Sequence, residues 1–389
     1  PAAAGHRITV AGFTDEDILL FDVNHGLLLL GGTVDVFADS LFDITFEDAP
    51  ATTARYVLAN RQSLHTPTGE LDTPSDWRTG AHGADYVILS HPDLLEAAER
   101  LAAHRRRVDG FSVAVVNSQD VYDEFTEGRF DREAIADFIG HMYDDWLPRP
   151  AYVLILGDAT WDYRGVYTGR RHQTLVPTQY YPARRRGYSP SDFRLALVDG
   201  DDLLPDLSIG RLAVDSAEEA MTTVDKIISY DLAPPSGDWR GRSLYAANWH
   251  AKDEFSGPLD SLAAHYTEPI GLQSVRLYAA DETPLPNALG RRFVEELNRG
   301  ALIANFSGHG AAGTLQYLFS TQFPEWDYLS QVHNGGRLPF MLALSCLNGM
   351  FVDPRTEGLS ELLTELPDGG AIAYISATAI SFTSQNNLL

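Results

Sequence analysis

Asn305-Phe306-Ser307-Gly308-His309-Gly310 and Leu342-Ala343-Leu344-Ser345-Cys346-Leu347-Asn348-Gly349 decide how the chain is read. Each is a short apolar run that stops at a reactive side chain with glycine close behind. Residues 301–306 and 338–344 are continuous, apolar and too short for helices, so they are expected to be buried strands of a parallel sheet. Ligands of open α/β sheets gather outside the carboxyl ends of the strands, which is where His309 and Cys346 fall. Cys346 is the single cysteine of the chain. A thiol facing an imidazole across a sheet edge is the arrangement that nucleophilic thiol catalysis needs. The plainer alternative is a structural cysteine, buried as free cysteines commonly are, beside a satisfied core histidine.

Working outward, the pattern on both sides alternates strand and helix. Residues 86–89, 113–116, 152–156 and 207–210 read as strands, with helices at 94–107, 131–146 and 216–230 between and after them. Pro92 suits the opening of the first helix, where a missing N–H costs nothing, and Ser216 is a natural N-cap for the last. Residues 162–205 form a long insertion rich in Arg, Tyr, Pro and Asp. Ala233-Pro234-Pro235-Ser236-Gly237 breaks the alternation, which then resumes. Strands at 244–247 and 274–278, helices at 257–266 and 286–298, a helix at 357–366 and a strand at 371–376 complete it. Such alternation means βαβ units and sheets covered on both faces. Residues 1 to about 60 differ: period-two patches separated by turns such as Asp22-Val23-Asn24-His25-Gly26 indicate antiparallel β structure. The expected organisation is a β-rich region with linker (1–82), a non-catalytic α/β subdomain (83–235) and a catalytic α/β subdomain (236–389).

The chain has 389 residues and a formal charge of −25, from 54 acidic and 29 basic side chains. That charge argues against nucleic acid as a partner. No apolar run approaches the roughly 20 residues of a membrane span. A single cysteine excludes an internal disulfide and a CxxC zinc site. Lys226 and Lys252 are the only lysines. Excess acid with scarce lysine fits adaptation to salt, calcium held by loop carboxylates, or an ordinary acidic surface. There is no GxSxG elbow, HExxH helix or Walker A loop.

At the two strand ends, His309 can hold Cys346 as the nucleophilic thiolate or take up its proton. The N–H groups of Gly310 and Cys346 are placed to hold the oxyanion of a tetrahedral intermediate. Gly310 allows close backbone approach to a substrate, and Asn348-Gly349 supports a tight turn behind the nucleophile.

These two blocks resemble the His-Gly and Ala-Cys blocks of the gingipain-type cysteine peptidases, in the caspase-like clan that includes legumain and separase. Ala84-Asp85-Tyr86-Val87-Ile88, Leu154-Ile155-Leu156-Gly157-Asp158-Ala159 and Pro205-Asp206-Leu207-Ser208-Ile209-Gly210-Arg211 resemble the family's non-catalytic half, so the likeness covers about residues 83–389. It implies an α/β fold of caspase-like α/β/α type, with two parallel-sheet subdomains preceded by the antiparallel β region. It implies Cys346 as nucleophile, His309 as general base or ion-pair partner, and Gly310 as oxyanion donor. It also implies a protein or peptide substrate, secretion or display at the cell surface, further C-terminal domains in the full-length chain, and no organic cofactor.

Two departures from the family pattern and one correspondence concern specificity and assistance. The acidic residue that recognises a basic P1 side chain in arginine-specific relatives falls on or beside Phe255, with Glu254 adjacent. The glutamate that orients the family's histidine falls near Trp249. Phe382 stands where relatives have an aromatic wall of the S1 pocket. Calcium stabilises relatives, and Asp199, Asp201 and Asp206 are the carboxylates placed to bind it, a solvated turn being the plainer alternative. The expected function is a cysteine endopeptidase working through a Cys-His dyad and a thioester. A type IX secretion sortase and a catalytically silent adhesin or secretion-scaffold module of the same fold are the alternatives.

Overall fold

In the first parallel sheet the burial alternates residue by residue: Val87 and Leu89 pack with one group of helices, Ile88 with another. This is the period-two geometry of a strand covered on both faces. The computed structural model describes residues 5–38, 40–50, 53–69, 71–168, 173–183, 187–248, 252–278, 286–321 and 327–386. The chain divides into two units, Pro1–Thr73 and Pro74–Leu389.

The first unit is antiparallel, as its alternation predicts. Its strands are β1 (His6–Phe13), β2 (Ile18–Asp22), β3 (Leu27–Leu29), β4 (Thr33–Ala38), β5 (Leu41–Asp48) and β6 (Tyr56–Asn60). They form two three-stranded sheets, β1-β5-β4 and β3-β2-β6. The turn after β2 is closed by the Asp22 carboxylate, which accepts the Asn24 N–H (3.0 Å), and by Gly26 at φ +65°.

The second unit begins its sheet with β7 (Tyr86–Ser90), α1 (Leu95–Val108), β8 (Val113–Asn117), α2 (Ser118–Thr126), α3 (Arg132–Asp145) and β9 (Tyr152–Leu156). A hairpin follows, β10 (Tyr180–Ala183) and β11 (Gly187–Pro190), then β12 (Ser208–Leu212) and α4 (Ala217–Leu232). The parallel order is β12-β9-β7-β8. Helix α2 has no counterpart in the sequence reading. It starts directly from the end of β8, where Asn117 is both the last strand residue and the N-cap, accepting the Gln119 N–H (3.0 Å). No turn signal separates the two elements. Ile135, Phe138, Ile139 and Met142 of α3 cover one face, and Ala97, Ala98 and Leu101 of α1 the other. Each fully buried side chain of the larger kind contributes about 1.5–3 kcal/mol.

The alternation resumes with β13 (Arg242–Ala247), α5 (Lys252–Leu262), β14 (Gln273–Tyr278), α6 (Pro286–Arg299) and β15 (Ile303–Ser307). Three two-residue strands follow, β16 (Gly310–Ala311), β17 (Thr314–Leu315) and β18 (Phe319–Ser320). The chain then runs through β19 (Phe340–Leu344), α7 (Leu359–Glu365), β20 (Ala373–Ser376) and α8 (Thr383–Asn386). The five-stranded order β14-β13-β15-β19-β20 is parallel throughout. Helix α5 starts five residues before the expected 257 and passes through Pro258. Phe255, Leu259 and Ala263, four apart, bury one stripe against Tyr245 and Ala247, and that packing carries the helix past the proline. On the opposite face Phe293, Val294 and Leu297 of α6 pack on Leu244, Ala304 and Phe306. Lys226 of α4 reaches the end of α7, where its ammonium donates to the carbonyls of Thr364 (2.8 Å) and Leu366 (3.1 Å).

Candidate active site

Strands β15 and β19 are neighbours in register, Ser307 opposite Leu344. His309 and Cys346 each stand two positions beyond these paired residues, so adjacent strand ends deliver both to one rim. They line a single cleft of about 440 Å3 together with Glu254, Phe255, Gly308, Leu344, Ser381 and Phe382. The half-buried Cys346 thiol donates to the Ser381 carbonyl (3.4 Å), while His309 is exposed. The Phe255 ring stands edge-on to the imidazole, with centroids 5.4 Å apart.

The backbone around both residues is tightly held. The Asn248 N–H donates to Ser307 O (3.2 Å) and its side-chain amide to Gln316 Oε1 (2.6 Å). The Gln316 N–H in turn donates to His309 O (3.0 Å). A Cβ on Gly308 would meet Asn248 Oδ1 at 2.5 Å, and one on Gly310 would meet Ser345 Oγ at 2.6 Å and Cys346 O at 3.1 Å. Gly310 therefore lets the nucleophile loop approach, a constraint from inside the protein in addition to any from substrate.

The turn behind Cys346 has Asn348 and Gly349 at its centre, as expected, and is closed by the Met350 N–H donating to Leu347 O (3.1 Å). Leu347 takes the left-handed conformation (φ +58°), and its N–H donates to Ala379 O (2.9 Å). Gly349 serves close packing, since a Cβ there would meet Ser376 Oγ at 2.6 Å. Asn348 is fully buried and donates to Ala311 O (3.0 Å) and Thr314 O (3.2 Å), while the Tyr374 hydroxyl donates to its Oδ1. A strained non-glycine backbone held by such a network is a common mark of a functional turn. The sequence reading treated Asn348 as a turn former; its anchoring role depends on partners distant in the chain.

Phe255 and Glu254 share the cleft with the reactive pair, but differ in character. Phe255 is almost entirely buried against Tyr245 and Leu259. Glu254 is exposed and accepts the Thr383 hydroxyl (2.8 Å), tying α5 to the segment after Phe382. Trp249, the position matching the relatives' assisting glutamate, lies outside the described residues.

Asp199, Asp201 and Asp206 lie in the loop before β12. The Asp206 carboxylate is used to close that loop, accepting the N–H groups of Val198 (2.9 Å) and Asp199 (3.0 Å), and Asp199 and Asp201 are exposed. Among the described residues no group of three His, Cys, Asp or Glu side chains is arranged to hold a metal ion.

A denser acidic cluster occurs elsewhere. Asp158, Asp215, Glu219, Asp353, Glu357, Glu361 and Glu365 surround a small cavity next to the ends of β9 and β12. Burial, then the Asp215 carboxylate, push the Asp158 carboxyl well above the usual range. Burial and Asp158 do the same to Glu361. Burial, with Glu219 and Glu357 adding to it, raises Glu365 to about 8, against the opposing pull of Lys226. Neutral acids are the response of carboxyls crowded together away from water. Asp192, given no role by the sequence, pairs both its oxygens with the buried Arg211 (2.7 and 2.9 Å).

Residues 80–389 match the family description Peptidase family C25. The chain belongs to that family. Gingipain R2 of Porphyromonas gingivalis is 24% identical over 255 residues, 63% of this chain and 31% of that protein. Lys-gingipain of the same organism is 23% identical over 368 residues, 91% of this chain and 18% of that protein. The chain thus spans less than a third of the length of these relatives. The crystal structure of the Arg specific cysteine proteinase gingipain R superposes with a TM-score of 0.61 at 20% identity, over 80% of this chain and 66% of that one. The complex of Porphyromonas gingivalis RgpB pro- and mature domains gives 0.62 at 20% identity, covering 78% and 66%. The fold is the caspase-like α/β/α arrangement that the His and Cys blocks implied, and the family is that of the gingipain-type cysteine peptidases.

Proposed function

We propose that the chain is a cysteine endopeptidase in which Cys346 and His309 form a dyad. The observation that carries this is the shared cleft: adjacent strand ends bring the one thiol of the chain and an exposed imidazole to the same opening. The Cys346 sulfur attacks the scissile carbonyl, forming the C–S bond. The N–H groups of Gly310 and Cys346 hold the oxyanion. His309 delivers a proton to the amine as the C–N bond breaks, leaving a thioester. Water then attacks the thioester, the acid departs, and the thiol is restored.

Secretion or display at the cell surface, and further domains C-terminal to this segment, belong to the same reading, supported by the family and by the short share of each relative that the chain spans. Among the described residues no helix is long and apolar enough to cross a membrane. Structural calcium enters only through the likeness to relatives; a melting temperature unmoved by calcium chloride removes it.

The test is cleavage of a peptide library spanning all P1 residues, with Cys346→Ala as control. The control is expected to fold, because thiol and methyl differ little in volume, and to be inert. Product captured on an added amine identifies a transpeptidase. A Cys346 thiol that resists an active-site titrant, with no cleavage of any peptide, identifies a silent module and refutes the enzyme.

A further inference from the structure

Beside the nucleophile cleft lies a larger one of about 880 Å3. Its walls are the loop after β9, the β10–β11 hairpin, the start of α3, and the chain just past Cys346, where Met350 and Val352 line it. Met350 is four residues beyond Cys346. The chain between them therefore spans at most about 14 Å. The hairpin is also fastened to the segment that leads to Ser381 of the nucleophile cleft. Thr378 Oγ1 donates to Pro190 O (2.7 Å), three residues before Ser381, whose carbonyl accepts the Cys346 thiol. The Trp161 N–H donates to Val352 O (3.1 Å), so the two sides of the larger cleft are joined without a ligand.

Several of the charges around this cleft have partners of their own. Arg355 meets both Asp353 oxygens (2.8 Å each), Arg132 meets Glu133 (3.2 Å), and Asp131 caps α3 through the Glu133 N–H (3.1 Å). Besides the exposed Arg132, Glu133 and Arg355, the cleft presents aromatic rings to solvent: Phe130, Trp161, Tyr163 and Tyr188 are 45, 38, 56 and 73% exposed. Four exposed rings around one concavity form an apolar patch of the kind that marks binding.

We propose that this cleft is an extended substrate subsite, seating an aromatic or bulky aliphatic side chain of the polypeptide about four to six residues from the scissile bond. The inference rests on the peptidase reading above and deepens it. An extended substrate advances about 3.3–3.6 Å per residue, so four to six residues cover the distance of at most about 14 Å from Cys346 to Met350 on the wall of this cleft. The rings offer apolar contact to such a side chain, and burying an unpaired charge against them is unfavourable.

The test uses peptides with a cleavable P1 residue and Trp, Phe, Leu, Ser or Glu placed four to six positions away on either side. At one of these positions kcat/KM is expected to favour Trp or Phe over Glu by about tenfold to a hundredfold. Tyr188→Ala and Trp161→Ala are each expected to bring that ratio close to one, and the exposure of both side chains makes folded variants the expected outcome. Binding of the same peptides to the Cys346→Ala chain, read by fluorescence anisotropy, gives the preference without turnover. Selective aromatic binding in the absence of any cleavage by the intact chain would sink the peptidase reading and leave the subsite standing. Equal treatment of all five residues in both assays, or a preference that survives both substitutions, overturns the subsite.

Discussion

Replacing Glu365 by glutamine changes how stability depends on pH, and by an amount the structure sets. Burial raises this carboxyl from the ordinary 4.5 to about 8, so the folded state keeps a proton that the unfolded chain releases. A group raised in this way contributes stability that is fully present below the unfolded value and is lost as pH rises through the folded one. Between about pH 5 and about pH 7.5 the two values correspond to a loss of roughly 3 kcal/mol. Screening of the part nearest solvent trims this to about 2 kcal/mol. Burial lowers Lys226, its neighbour, to about 8, so it stays charged in both states over most of this window. Glutamine mimics the protonated acid and does not titrate. Glu365→Gln should therefore lie within about 1 kcal/mol of the parent at about pH 5 and gain a further 2–3 kcal/mol over it by about pH 7.5. The assay is urea unfolding at both pH values, in chelator so that no added cation neutralises the cavity. A variant less stable than the parent at the higher pH would mean that Glu365 is ionised and paired with Lys226, and the burial reasoning would fail.

Gly310→Ala pushes a methyl toward Ser345 Oγ and Cys346 O. It should lower kcat/KM by about a hundredfold, since displacements near 1 Å at a reacting centre cost that much; unchanged kinetics would show that the nucleophile loop yields freely. Asn348→Ala removes three hydrogen bonds from a buried position, should cost about 2–4 kcal/mol in chemical denaturation, and is contradicted by a loss below about 1 kcal/mol. Phe382→Ala, at a half-exposed wall of the nucleophile cleft, should raise KM by about tenfold with the melting temperature unmoved; a fall in melting temperature with KM unchanged would make Phe382 a packing residue.

The antiparallel start, the alternating strands and helices, and the two strand ends carrying His309 and Cys346 were all legible in the chain, because burial imposes a period on apolar residues and glycine marks where backbones crowd. Helix α2 was missed because it follows β8 without a break. The early start of α5 was missed because Pro258 reads locally as a helix opening, while Phe255, Leu259 and Ala263 bind the longer helix to the sheet.

Local rules reach only a few residues along the chain. They place Cys346 at the end of a strand, but cannot say that Leu347 will be held at positive φ, because Ala379, Thr314 and Tyr374 supply the hold from elsewhere in the sequence. They identify acidic residues, but not that Asp158, Glu361 and Glu365 are crowded into one cavity where burial keeps protons on them. Element type follows from neighbours in the chain. Protonation, the aim of the nucleophile loop and the aromatic cleft beside it depend on neighbours in space.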